Sequence, residues 1–188
     1  MLNPFYPVIN SKHGLEANVQ MRACNLVILG EPGSGKTALI HRLVHNIFEP
    51  KYKPTMGANV WKKEYPAYDM VFYIWDVQGV HIPEQILKTY TQNADAYLLV
   101  GDATRRRTYS SIEFYWATKI VPKKPVVIIG NKTDVVKNQV IHAKYLFRLE
   151  QKLRAKGVFV GYSTIASAKT GFRVNKILQK VGELCLRT

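Results

Sequence analysis

The sequence predicts an α/β fold: a three-layer arrangement of a mainly parallel six-stranded sheet, one antiparallel edge hairpin, and helices on both faces. Three observations carry this. From Ala23 onward, short apolar runs alternate with segments of helical period, as βαβ units require. The runs are nearly continuous in apolar residues, as strands covered on both faces should be. Two of them are separated only by Pro66, Ala67 and Tyr68, too short a connection for a crossover, so that pair forms a hairpin.

In chain order, strands are predicted at 25–29, 59–65, 69–75, 96–100, 126–130 and 158–162, with helices at 36–47, 83–93, 109–119, 140–156 and 172–186. The first helix buries Leu39, Leu43 and Val44. In the fourth, Tyr145, Leu146, Leu149 and Leu153 mark the buried side, while Lys144, Arg148, Lys152 and Lys156 recur every four residues as a solvent-facing stripe. In the fifth, Cys185 continues the apolar series Val174, Ile177, Leu178, Val181 and Leu184, which makes it a packing residue.

A chain of 188 residues with 47% hydrophobic content suffices for one domain without disulfides or structural metal. We place that domain at 23–188, behind an N-terminal extension at 1–22 that is rich in turn-formers. Cys24 and Cys185 fit neither a disulfide framework nor a zinc-ligand spacing, which suits a reducing cytosol. The start carries no signal-peptide pattern, and no apolar run reaches the roughly 20 residues needed to span a bilayer. A cytoplasmic protein, at most peripheral at a membrane, is expected, and a monomer.

With 27 Lys+Arg against 13 Asp+Glu, the formal charge of +14 favours polyanions. The excess is spread over Arg105 to Arg107, Lys119, Lys123, Lys124 and the helical stripe. That spread suits a solvated surface first, then peripheral membrane or protein docking, with nucleic acid last.

Gly30-Glu31-Pro32-Gly33-Ser34-Gly35-Lys36-Thr37 matches G-x-x-x-x-G-K-[ST] between a predicted strand and a helix that Ala38 continues. In such a loop the glycines let backbone N–H groups curl round phosphates at a helix N-terminus. Lys36 reaches the β and γ oxygens as a point charge, and the Thr37 hydroxyl binds Mg²⁺. This implies a nucleoside triphosphate without naming the base.

The base is read from Asn131-Lys132-Thr133-Asp134, directly after an apolar strand. A buried Asp134 carboxylate accepts from both N1–H and the 2-amino group of guanine, a donor pair that adenine lacks, so ATP would leave it unpaired. Further on, Ser167-Ala168-Lys169 offers backbone N–H groups to guanine O6.

On these motifs the chain resembles the Ras superfamily of small GTPases, most closely its Rab branch, over about residues 23 to 186. The resemblance implies a GTP/GDP-binding switch that needs Mg²⁺, with Asn131 and Asp134 contacting guanine, Lys132 along the purine ring, and Ala168 with Lys169 closing its other side. Phe48, seven residues before Thr55, sits where the family places an aromatic against the guanine, although it also continues the apolar stripe of the first helix. Lys53-Pro54-Thr55-Met56-Gly57 resembles the first switch, in which Thr55 would bind Mg²⁺ and the γ-phosphate. Asp76-Val77-Gln78-Gly79 matches D-x-x-G, with Asp76 reaching Mg²⁺ through water and the Gly79 N–H meeting the γ-phosphate. Effectors and exchange factors would bind at these two switches.

Lys36, Thr55 and Gly79 are thus the catalytic candidates, but the family's glutamine after that glycine is replaced by Val80. Valine neither donates nor accepts, so the usual positioning of the attacking water is missing. Gln78 and His81 are the substitutes at hand, each out of step with that position. Pro32 stands where the family commonly has Gly or Ser, and added bulk there can obstruct an arginine supplied in trans, a contribution worth roughly 10³ to 10⁵ in rate. Slow hydrolysis is the expectation, and a nucleotide-stabilised scaffold that never cycles is the alternative. Asp-Val-Gln-Gly and Pro-Thr-Met-Gly also resemble the Arf branch, whereas Ser-Ala-Lys leans toward Rab and Ras. Arg187 and Thr188 after Cys185 fit a prenylation signal poorly, and with Met1 as the native start, Leu2 in place of Gly would not fit N-myristoylation.

Overall fold

A computed structural model describes residues 21–50, 55–79 and 82–187. Six strands form one sheet in the order β2-β3-β1-β4-β5-β6: β1 (Arg22–Leu29), β2 (Ala58–Tyr65), β3 (Met70–Val77), β4 (Ala96–Asp102), β5 (Val126–Asn131) and β6 (Val160–Ile165). Only the β2/β3 pair is antiparallel, closed by a 3-10 turn over Pro66–Tyr68 and by Asp69 in the left-handed region at φ 47°. The predicted hairpin is therefore present.

β4 and β5 are buried at every position, which explains their uninterrupted apolar reading. One core lies on the face where Leu26, Ile28, Leu98 and Ile129 meet α1 (Lys36–His45) and α5 (Asn175–Cys185). The other lies where Val27, Leu29, Leu99 and Ile128 meet α3 (Arg107–Phe114) and α4 (Gln139–Ala155). α2 (Glu84–Thr91) packs Leu87 into this second core. The alternation of strand side chains thus feeds two layers of helices.

Several boundaries move. The predicted helix at 109–119 is α3, which ends at Phe114, followed by a 3-10 turn over Trp116–Lys119. Tyr115 leaves helical geometry between them, at φ −124°, so the apolar period continues through two pieces. β6 starts and ends later than predicted, because the 17 residues of α4 are followed by a turn at Gly157, φ +80°. α5 begins at Asn175 rather than 172, after Arg173 in the left-handed region at φ 57°. β1 opens at Arg22, one residue ahead of the expected domain start, and the rest of the extension, apart from Met21, lies outside the described residues.

The stripe of Lys144, Arg148, Lys152 and Lys156 is exposed and Leu146, Leu149 and Leu153 are buried, as their spacing predicts. Cys185 is buried on α5, and its Sγ lies 3.3 Å from that of Cys24, two thiols brought together from opposite ends of the domain. No helix among the described residues is long and apolar enough to cross a membrane.

Candidate functional site

The carboxyl ends of β1, β3, β4 and β5 carry the loops that converge on the site, the place where open α/β sheets bind ligands. The loop after β1 turns back through Gly33 at φ +68° and Gly35 at φ +90°. Gly35 is the N-cap of α1, and no side chain caps that end, so the backbone donors of the first turn are left to a ligand.

Close packing surrounds this loop. A Cβ on Gly30 would come within 2.3 Å of the Val100 carbonyl oxygen, and one on Gly35 within 2.3 Å of Asn131 Nδ2. One on Gly79 would stand 2.7 Å from Pro32 N, so the D-x-x-G glycine lies directly against the loop. Lys36, buried at 6% exposure, donates from Nζ to the carbonyls of Gly30 at 2.8 Å and Glu31 at 3.2 Å. Burial lowers its pKa to about 8, against the pull of Asp76 and Glu31.

Three oxygens meet next to Lys36. Thr37 donates to Asp76 Oδ2 at 2.7 Å, Thr55 donates to the same oxygen at 3.2 Å, and the two hydroxyls lie 2.8 Å apart. Asp76 is fully buried, its pKa is raised by burial despite the Thr37 bond and the Lys36 charge, and its Oδ1 has no hydrogen-bond partner. An all-oxygen donor set with an orphaned buried carboxylate oxygen fits a hard divalent cation such as Mg²⁺.

Gln78 and Gly57 join the two switch segments through paired 2.9 Å hydrogen bonds, so the Gln78 carbonyl oxygen Oε1 is engaged with the backbone of the first segment. Lys53, Pro54, Val80 and His81 lie outside the described residues.

At the far end, Asn131 ends β5 and is buried at 1% exposure. Its Nδ2 donates to the Ser34 carbonyl at 3.0 Å and its Oδ1 accepts from the Ala168 N–H at 3.1 Å. Both ends of its amide, and the Ala168 N–H expected to face O6, therefore hold loop to loop. Lys132, left-handed at φ 66°, donates to the Gly33 carbonyl and, at 2.9 Å, to Asp102 Oδ2. Asp134 accepts from Ser167 Oγ at 2.6 Å, but it is exposed rather than buried as expected, because the strand has ended and its loop faces outward. Phe48 lies beyond the end of α1 and is partly buried against the α1/α5 core, the packing role its sequence position allowed.

Three residues here escaped the sequence reading. Asp102, 1% exposed, accepts from Arg105 Nε at 2.9 Å as well as from Lys132 and Thr104. Burial pushes its carboxyl up, but the bonds from Thr104 and Lys132 outweigh that and hold it below the ordinary value. Arg105, counted above as surface charge, also donates to the Pro32 carbonyl at 2.9 Å. Arg42 donates to the carbonyls of Ala168 at 2.9 Å and Lys169 at 2.7 Å, fixing that loop. One signal was present: two apolar runs each end in a polar residue, Asp102 and Asn131, and parallel pairing sets those residues side by side.

Strand order, glycine loop and oxygen cluster together define a P-loop nucleotide-binding protein of the small-GTPase type. The chain belongs to the Ras family, whose family model matches residues 25–187. Among its relatives, Ras-related protein Rab-32C of Dictyostelium discoideum is 31% identical over 118 residues, 59% of this chain and 52% of that protein. Ras-related protein Rab-7b of Bos taurus is 32% identical over 61% of this chain and 62% of its own length. Ras-related protein RABG3d of Arabidopsis thaliana is 30% identical over 80% of this chain and 76% of its own. The chain thus spans about half to two thirds of the Rab-32C and Rab-7b relatives, and its similarity places it in the Rab branch.

Proposed function

We propose that this protein is a Mg²⁺-dependent GTP/GDP switch of membrane trafficking that hydrolyses GTP slowly and so dwells in its GTP form. The observation that carries the reading is the convergence of Thr37, Thr55 and Asp76 on one point beside Lys36. When bound there, Mg²⁺ would neutralise charge on the phosphate oxygens. The protein's own residues do the rest. Lys36 exchanges its carbonyl partners for phosphate oxygens, the first-turn N–H groups of α1 cradle the β-phosphate, and Thr55 ties the first switch to the γ-phosphate. Gly79, packed on the loop with no room for a side chain, brings its N–H to the same phosphate. Asp134 and the 167–169 loop recognise guanine, Lys132 flanks the ring, and Asn131 holds these parts in register.

Loss of the γ-phosphate would free the 55–57 and 76–79 segments together, because Gln78 and Gly57 bind one another. Those segments are the surface for effectors and exchange factors, and the basic surface supplies peripheral membrane contact. Hydrolysis is slow because Val80 cannot orient water and Gln78 is occupied by Gly57.

The experiment is single-turnover hydrolysis of bound GTP with Mg²⁺, run on the protein and on Val80→Gln, with excess ATP as competitor. A slow parent, a faster variant and no displacement by ATP are expected. Hydrolysis by the parent at rates usual for small GTPases would refute the assignment of Val80. The engagement of Gln78 also favours a second reading, a scaffold that binds nucleotide without cycling; no turnover in either protein would select it.

A further inference from the structure

We propose that the outward face of α4 between Val140 and Arg148 docks on a membrane surface rich in anionic lipid headgroups. The inference rests on the peripheral membrane contact proposed above and gives it a location.

The two halves of α4 differ in how their cations are used. Toward the C-terminus, Lys152 and Lys156 both reach Glu113, at 2.9 and 3.3 Å, and Arg154 pairs with Glu150 at 2.9 Å. Toward the N-terminus, Lys144 and Arg148 have no carboxylate within ion-pair distance among the described residues, and positions 139–149 contain no acidic residue. Arg106, its guanidinium 4.7 Å from the centre of the Tyr145 ring, adds a cation on the flank.

Between these charges the helix is apolar and open. Val140 is 63% exposed and Phe147 59%, and with Ala143, Lys144 and Arg148 they line a shallow groove. A merely solvated face gains nothing from a Phe at that exposure. A bilayer interface offers what this face lacks: phosphates and carboxylates for Lys144 and Arg148, and an acyl boundary for Phe147 and Val140.

The sheet order makes the arrangement workable. α4 packs on β5 and β6, at the opposite edge from β2 and β3, whose ends carry Gly57 and Gln78. A molecule lying on α4 keeps its switch edge free for a partner.

The test is co-sedimentation of the GDP-loaded protein with phosphatidylcholine vesicles, with and without phosphatidylserine. Four proteins are compared: the parent, Lys144→Glu/Arg148→Glu, Phe147→Ala, and a control of equal charge change on other exposed faces, Lys88→Glu/Lys176→Glu. Melting temperature and GDP retention are measured for each, so that misfolding or failure of the nucleotide reading is seen separately. Binding by the parent only to serine-lipid vesicles is expected. The α4 double variant should lose about 25-fold or more, since each cation contributes about five-fold, while the control loses far less. Phe147→Ala should weaken binding and leave the remainder more sensitive to salt. Equal loss in both doubles would mean diffuse charge, and retention by the α4 double would mean another face. Binding to polyglutamate without binding to vesicles would mean an acidic protein partner. Each of those three results overturns the proposal.

Discussion

Gln78 and Gly57 hold one another through a reciprocal pair of hydrogen bonds. The Gln78 N–H donates to the Gly57 carbonyl and the Gly57 N–H donates to Gln78 Oε1, each at 2.9 Å. The pair extends the β2/β3 ladder beyond Ala58 and Val77, its last register partners, and ties the 55–57 segment to the end of β3. Gln78→Ala removes the side-chain bond and leaves the backbone one. At about 1 kcal/mol for such a bond, amide exchange at Gly57 should rise about five-fold. GTP hydrolysis should stay at the parental rate, because this glutamine serves the backbone and not the attacking water.

Asn131 is the keystone between the phosphate loop and the 167–169 loop. Asn131→Ala leaves the buried Ser34 carbonyl and Ala168 N–H without these partners, so a loss of roughly 2 to 4 kcal/mol in unfolding free energy is expected by urea titration. Guanine-nucleotide affinity should fall more than ten-fold even where the variant remains folded, since both loops then move independently.

Lys36 makes the nucleotide-free protein pH-sensitive in a definite direction. Unfolded, it titrates at its ordinary 10.5; folded, at about 8, because burial disfavours the charge. Between those values the unfolded chain holds a proton that the folded protein has released, so stability rises with pH across the window and falls as pH drops back toward 8. The full difference is on the order of 3 kcal/mol, and Lys36→Met should lack it when the two are compared by chemical denaturation. Nucleotide phosphates restore the charge, so binding above pH 8 should take up a proton, which calorimetry in buffers of different ionisation enthalpy detects.

Asp102 aims two cations at the phosphate loop, Arg105 at Pro32 and Lys132 at Gly33. Arg105→Ala should speed GDP release several-fold with little effect on melting, since Arg105 is part-exposed. Asp102→Ala should cost far more, because it strips both cations of their shared carboxylate and opens a buried site.

Asp76→Asn keeps the shape of the oxygen cluster but removes its charge. Weaker Mg²⁺ dependence of nucleotide retention is expected, read as a smaller acceleration of release by EDTA than in the parent. Apo stability should hold or rise slightly, because burial already disfavours this carboxylate.

The sequence by itself determined the elements and the phosphate loop, because both are local. Apolar runs with helical period between them name strands and helices, and G-x-x-x-x-G-K-T states its backbone geometry through its own glycines. Three connecting residues were enough to make 59–65 and 69–75 a hairpin. The roles of Asn131, Asp102 and Arg105 were decided only by tertiary structure, for each depends on which strand lies beside which. Parallel pairing of β4 with β5 sets Asp102 next to Asn131; the loop after β1 then lies close enough to accept from Lys132, Arg105 and Asn131 at once. Sequence spacing also misjudged the burial of Asp134: exposure of one carboxylate is set by neighbours far along the chain, and periodicity along a single element carries no record of them.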